Sequence, residues 1–276
     1  MSDAFRLAVE LWGVRGSTAT PEAGNLRYGG NTTCISVLSS AGDRIIVDAG
    51  TGIRRLGRRL LAEVSPAPEV NVFFTHFHWD HIQGLPFFAP LIQSNSRVCF
   101  YAGVTADETR ARLERQMSSP FFTLPFEAVA GRCGFVQMTD ATVHCGKLAV
   151  QAFPLNHPQG AWGYRIEADG AVVVVATDLE HGHVTLDKVL REYSAGADLL
   201  IYDAQYTEAE YKARTGWGHS TPRAAANVAA AAGVKKLLLF HHDPNHDDQK
   251  MDEIVAETRA WFAATGAAQE GETITL

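Results

Sequence analysis

The chain has 276 residues and a mass of 30.0 kDa, with 46% hydrophobic and 20% charged residues, the balance of a folded globular protein rather than a disordered one. Its formal net charge of -7 argues against a broad surface for nucleic-acid phosphates, while leaving room for a small anionic ligand. No apolar run is long enough to cross a membrane, and Met1 to Arg6 lacks the basic and apolar regions of a signal peptide, so a cytoplasmic protein is expected. The cysteines Cys34, Cys99, Cys133 and Cys145 are far apart, form no C-x-x-C pair and are read as buried free thiols.

In chain order, Leu7 to Trp12 is predicted as the first strand. Two glycine-containing loops follow, Gly13-Val14-Arg15-Gly16-Ser17 and Tyr28-Gly29-Gly30-Asn31-Thr32-Thr33. Neither has the spacing of a dinucleotide or P-loop phosphate cradle, so both are read as turns joining strands. Cys34 to Leu38 and Arg44 to Val47 are predicted as a hairpin across Ala41-Gly42-Asp43. Asp48 then leads through Ala49-Gly50-Thr51-Gly52 into a helix from Ile53 to about Val64, which it is placed to cap.

Val70 to Phe74 reads as a buried strand and runs directly into Thr75-His76-Phe77-His78-Trp79-Asp80-His81. Side chains repeat every second residue in extended chain, so His76 and His78 should project to one side. Gly84 and Pro86 bend the chain, which places Asp80 and His81 on the loop leaving the strand. Ligand-type side chains this dense are costly to bury without a metal, and their pattern suits two zinc ions side by side.

Beyond it, Ile82 to Ile92 is apolar and broken by proline, Arg97 to Tyr101 is a short strand, and Thr105 to Met117 is a helix with a solvated face. Phe121, Phe122 and Phe126 fall in a proline-bounded loop, read as ordinary packing rather than a lid. Leu148 to Pro154 is a strand that delivers His157. Trp162 to Glu167 and Ala171 to Ala176 form a second hairpin, which ends at Asp178. Leu199 to Tyr202 delivers Asp203, Thr221 to Ala232 is an alanine-rich helix, and Lys236 to Phe240 delivers His241-His242. His181 and His183 are read as loop residues, and His144 and His246 have no supporting context. Each ligand-type residue thus appears where a strand runs out. The expected architecture is α/β, a four-layer αββα sandwich with metals at its rim, formed by residues 1–276 as one domain.

The run His76-Phe77-His78-Trp79-Asp80-His81 matches the H-x-H-x-D-H signature and resembles the metallo-β-lactamase superfamily. The resemblance extends over most of the chain, through Asp48, His157, Asp178 and His241 in order. It implies one zinc held by His76, His78 and His157, a second held by Asp80, His81 and His241, and Asp178 bridging the two. It also implies that Asp48 supports the ligands from behind, as zinc-bound histidines require. Manganese or iron would suit the same donor types.

Within the superfamily, Asp178 stands where several zinc β-lactamases carry cysteine, and His78 stands where diiron oxygen-reducing relatives carry glutamate. No flavodoxin-like extension is present, and the C-terminal region does not resemble the thioester-binding domain of glyoxalase II. The segment Asp203-Ala204, Gly218-His219-Ser220-Thr221, Ala224-Ala225-Ala226 and Leu237 to His241 is similar to the ribonuclease Z and phosphodiesterase branch. That similarity implies a role for His219 near the scissile phosphate with an acidic partner, for which Asp203 is the candidate. Capping of the next helix by His219, with Ser220 and Thr221, is the competing reading.

Between His81 and His157 there is no lysine cluster and no basic, glycine-rich arm of the kind ribonuclease Z carries. The expected activity is therefore hydrolysis of a small phosphodiester such as a 3′,5′-cyclic nucleotide, rather than processing of long nucleic acid. A metal hydroxide, activated with help from Asp80, would attack while His219 protonates the leaving oxygen. Alternatives are a lactone, β-lactam or thioester hydrolase, or a non-catalytic nucleotide sensor. Trp79, Phe87, Phe121 and Trp217 are candidates to stack on a base or to fill the core. The resembling branch is commonly homodimeric, and no membrane partner is expected.

Overall fold

A computed structural model describes residues 5–63, 69–92 and 97–276. The N-terminal half runs through β1 (Leu7–Gly13), β2 (Cys34–Ser39), β3 (Arg44–Val47), α1 (Ile53–Glu63) and β4 (Glu69–Phe74). The single turns α2 (Trp79–Ile82) and α3 (Ala89–Ile92) follow, then β5 (Arg97–Ala102), α4 (Ala106–Gln116), the short α5 (Glu127–Ala130) and β6 (Cys133–Gln137). The second half contains β7 (Val143–Cys145), β8 (Leu148–Leu155), β9 (Ala161–Ala168), β10 (Ala171–Ala176), α6 (Val184–Ser194) and β11 (Leu199–Asp203). It closes with α7 (Glu208–Tyr211), α8 (Pro222–Ala231), β12 (Lys236–Phe240), α9 (Asp248–Arg259), β13 (Thr265–Ala267) and β14 (Thr273–Thr275).

Among the described residues these strands form two seven-stranded sheets, ordered β14-β1-β2-β3-β4-β5-β6 and β13-β12-β11-β10-β9-β8-β7. Alternation along the strands explains why the sheets stack. On β10, Val173 and Val175 face the other sheet, while Val174 and Ala176 face the helices. On β4, Phe73 points into the space between sheets and Val72 and Phe74 pack beneath the N-terminal helices. Both faces of the central strands are buried, as parallel strands require, and helices cover each outer face. The result is the expected αββα sandwich. β14 carries the chain's end back to the first sheet, where Ile274 pairs with Val9.

The expected elements occur close to their predicted bounds. Val64, the expected end of the first helix, lies outside the described residues, as do residues 1–4. Asp80 and His81 occupy the helical turn α2 rather than an open loop. His78 is still extended there, and the Gln83 N–H closes the turn on the Trp79 carbonyl. Phe126 leaves the loop of its neighbours and is fully buried at the head of α5. No described helix is long and apolar enough to span a membrane.

Candidate metal centre

The strands β3, β4, β8, β10, β11 and β12 deliver Asp48, the His76 cluster, His157, Asp178, Asp203 and His241 to one rim. β3 and β4 are parallel, as are β10, β11 and β12, and β8 regains their direction after two antiparallel steps. Strands that run the same way end at the same edge, the usual place for a site in such sheets. Asp48, Asp178 and His241 have φ values of 62°, 58° and 61°. This left-handed backbone is unfavourable for non-glycine residues and is the kind of strain held at functional sites.

Two donor groups converge at the rim. His76, His78 and His157 form one, and Asp80, His81, Asp178 and His241 form the other, with the donor atoms of each group within 4.8 Å of one another. Asp178 faces both: Oδ1 is 3.7 Å from His76 Nε2, and Oδ2 is 3.2 Å from His81 Nε2 and 3.3 Å from His241 Nε2. All seven residues that the sequence pattern singled out are brought together.

Each imidazole is held by the nitrogen that faces away from its group. His81 Nδ1 meets Asp48 Oδ2 at 2.8 Å, His241 Nδ1 meets Gln205 Oε1 at 2.9 Å, and His157 Nδ1 donates to the Gly218 carbonyl at 2.8 Å. His76 Nδ1 reaches the Thr75 hydroxyl at 3.1 Å, and His78 Nε2 reaches Gln159 Oε1 at 3.1 Å. One ring nitrogen of each is thereby left for the group's centre, as metal ligation requires. His76 Nε2 is buried with no hydrogen-bond partner among the described residues.

Charge leads to the same fit. Asp48, Asp80, Asp178 and Asp203 are buried together, and among the described residues their ion-pair partners are histidines alone. Burial by itself would raise the Asp80 carboxyl, but His81 and His241 hold it below the usual carboxylate range. Burial keeps His76 from charging, reinforced by the neighbouring His81. Clustered carboxylates that demand positive charge, beside His76 and His157, which burial holds toward the neutral form, make a donor set suited to divalent cations.

Asp48 does not cap α1. It accepts from the Thr75 N–H and hydroxyl, each at 2.8 Å, as well as from His81. His219 does not cap α8 either, since the Thr221 hydroxyl accepts from Ala224 N in that role. Instead His219 Nδ1 lies 2.9 Å from Asp203 Oδ2, and its ring stacks on His241 at 4.9 Å. Asp203, Asp178, His219 and His241 also bring donor atoms within 4.8 Å. Both Asp203 oxygens are already engaged by four N–H groups, from Asp178, Gln205, Ser220 and His219, which suits an orienting carboxylate. His242 turns away from the rim and binds the Ala268 carbonyl at 2.8 Å. His181 binds Ser220, and the His183 side chain caps α6.

Several contributors were not singled out from the sequence. The loop read as a plain turn lies beneath the second group: Ser17 N–H donates to Asp80 Oδ2 at 2.7 Å, and a Cβ on Gly16 would fall 2.3 Å from His241 Nδ1. Arg15, fully buried, clamps the carbonyls of Gly29, Asp243 and His246 around the segment carrying His241. Gln205 and Glu180 each stand two residues beyond a singled-out aspartate. That period-two spacing past a strand end is the signal that could have found them.

The class defined by this fold and rim is the metallo-β-lactamase-fold hydrolases. Residues 43–242 match the family described as the Beta-lactamase superfamily domain, and the chain belongs to that family. It is 27% identical to the Ribonuclease BN of Erwinia tasmaniensis, over 82% of this chain and 87% of that protein. It is also 27% identical to the Ribonuclease Z of a Bradyrhizobium species, over 87% and 92% of the two chains. In fold it is similar to the metallo-β-lactamase fold protein YhfI from Bacillus subtilis, with a TM-score of 0.72, 19% identity, and coverage of 97% of this chain and 98% of that one.

Proposed function

We propose that the chain is a dinuclear zinc phosphodiesterase acting as one domain on a compact phosphodiester such as a 3′,5′-cyclic nucleotide. The observation that carries this reading is the His219–Asp203 pair beside the second donor group, with His219 Nδ1 3.9 Å from Asp178 Oδ1. With Nδ1 committed to Asp203, Nε2 remains to hand a proton to a leaving alkoxide. Burial opposes charge on His219, but Asp203 outweighs it and raises the imidazole to about 9, so it is protonated at neutral pH. His76, His78 and His157 would hold one ion, Asp80, His81 and His241 the other, and Asp178 both. Two ions there would polarise the phosphoryl oxygens and lower the pKa of water. A carbonyl substrate has less need of such an acid, which favours the phosphodiester over a lactone, β-lactam or thioester.

A compact substrate is supported by the loops around the rim. His76 to Ile92, Thr177 to His183 and His241 to Asp247 contain no lysine or arginine, and the segment from Asp203 to His219 contributes two, Lys212 and Arg214, the latter lying over the Tyr206 ring. Arg15 is spent on carbonyls, and Arg27 is paired with Asp252. Long RNA needs several phosphate contacts, whereas one phosphodiester needs few. Trp79 and Trp217, adjacent in sequence to His78 and Gly218, are 65% and 60% exposed and suit stacking against a planar base. The names of the relatives favour a second reading, in which the same groups cut a phosphodiester in RNA.

Product analysis on 3′,5′- and 2′,3′-cyclic nucleotides, bis(p-nitrophenyl) phosphate, an RNA with a 3′ extension, a lactone and a chromogenic β-lactam decides between them, with metal content measured in the same preparation. Turnover of cyclic nucleotides with intact RNA is the expected result. Efficient RNA cleavage with inert cyclic nucleotides would replace this reading by the ribonuclease one, and zinc-loaded protein that turns over nothing would sink both.

A further inference from the structure

Glu180 is 9% exposed, and its carboxylate has no lysine or arginine partner among the described residues. It is satisfied by neutral donors from one short stretch of chain. Oε1 accepts from the Tyr211 hydroxyl at 2.8 Å and Gly216 N at 2.8 Å, and Oε2 accepts from Gly216 N at 2.8 Å and Gly218 N at 3.1 Å. Burying a carboxylate without a counter-ion is costly, and charge-assisted bonds of this kind offset the cost only if the donors stay in place. The arrangement therefore fixes the Gly216–Gly218 backbone and ties the Tyr211 side chain to it.

That backbone leads straight to the site. Gly218, whose N–H reaches Glu180, presents its carbonyl to His157 Nδ1 at 2.8 Å, and the next residue is His219. Gly216 and Gly218 have φ values of 86° and 87°, which glycine adopts without strain. A Cβ on Gly218 would fall 2.4 Å from His157 Nδ1, so the loop must pass this close to the ring. Glu180 is itself anchored to the other side of that histidine. Its N–H donates to the Asn156 carbonyl at 2.7 Å, and its carbonyl accepts from Asn156 Nδ2 at 2.8 Å.

We propose that Glu180 is a positioning residue that, by holding the Gly216–Gly218 backbone in one shape, sets the tautomer of His157 and the placement of His219 together. The part concerning His219 rests on the phosphodiesterase reading. The part concerning His157 does not.

Glu180→Gln keeps the side chain's shape but turns an NH2 toward amide donors. Glu180→Asp keeps the charge but shortens the reach, and serves if the glutamine variant does not fold. Three readouts apply to folded protein: imidazole 15N shifts of metal-free protein for the His157 tautomer, hydrogen exchange at the Gly216 and Gly218 amides, and zinc affinity of chelator-stripped protein. The expected results are loss of the single Nδ1–H form, faster glycine exchange and zinc binding weaker by roughly 10–100-fold, the range for outer-shell partners of a metal ligand. Turnover of bis(p-nitrophenyl) phosphate should fall in kcat with little change in KM. Folded variants with wild-type tautomer, exchange and zinc affinity overturn the proposal, whatever their turnover. Wild-type protein that cleaves no phosphodiester sinks the phosphodiesterase reading alone, because the first three measurements need no substrate.

Discussion

His219 and Asp203 meet at 2.9 Å on the lip of the second donor group, and the same carboxylate oxygen accepts the backbone N–H of Asp178 at 3.0 Å. One buried side chain therefore orients both the candidate proton donor and the carboxylate that faces both donor groups. His219→Ala should retain zinc and lose roughly 10²–10⁴-fold in turnover, the range for a lost general acid. Unchanged kcat in that variant would remove His219 from the mechanism.

The pH dependence follows from the same pair. With its pKa raised to about 9 by Asp203 against the opposing effect of burial, His219 is protonated below that value and neutral above it. An acid must carry its proton, so turnover is expected to decline as pH rises through about 9. Asp203→Asn removes the strongest of the effects that raise it, leaves burial to oppose the charge, and should move this basic limb down toward the ordinary histidine value of 6.5. A limb that stays in place in the variant would separate Asp203 from His219.

Metal removal should be visible as lost stability. A ligand that binds only the folded state adds about 2.7 kcal/mol at a hundredfold excess over its Kd, so chelation should lower the Tm and added zinc should restore it. His76→Ala removes a buried nitrogen that has no hydrogen-bond partner among the described residues and should reduce the metal content per chain. Wild-type zinc content in His76→Ala, measured by mass spectrometry of the metal, contradicts the ligand assignment.

The loop beneath the site yields a steric prediction. A methyl on Gly16 would overlap the His241 ring, with Nδ1 at 2.3 Å and Cε1 at 2.5 Å. Gly16→Ala should cost about 1–3 kcal/mol, typical of overpacking, and should weaken zinc binding because the ring that moves carries a donor. Denaturant titration and zinc titration of one preparation check both parts.

Glu10 offers a test away from the rim. Burial would raise its pKa, but the Ser36 hydroxyl, Arg44 and Arg59 together hold it below the ordinary glutamate value of 4.5. A carboxylate depressed in the folded state contributes stability above its unfolded pKa and loses it as pH falls through the folded one. Glu10→Gln should therefore be less stable than wild type at pH near 7, and the difference should shrink under acid conditions below the usual carboxylate range. An equal Tm difference at both pH values would show that the ion pairs contribute nothing.

The architecture was largely legible in the sequence because its signals are local. Val173-Val174-Val175 and Leu237-Leu238-Leu239 read as strands, and the structure buries them on both faces. β6 escaped because it is only half-buried along its length, and α6 and α9, which each have a buried apolar face, carry no residue singled out as a donor. The seven donors stood out because each follows an apolar run and because His76 to His81 is so dense.

What the sequence determined by itself was which residue types stand at the strand ends, since hydrophobic periodicity and ligand spacing are properties of neighbouring residues. Only the tertiary structure decided that Ser17 would reach Asp80, that Gln205 would hold His241, and that Glu180 would fasten the loop between His157 and His219. Those contacts join residues from 36 to 63 positions apart, and they come about only when two sheets stack and strands of one direction end at a common rim.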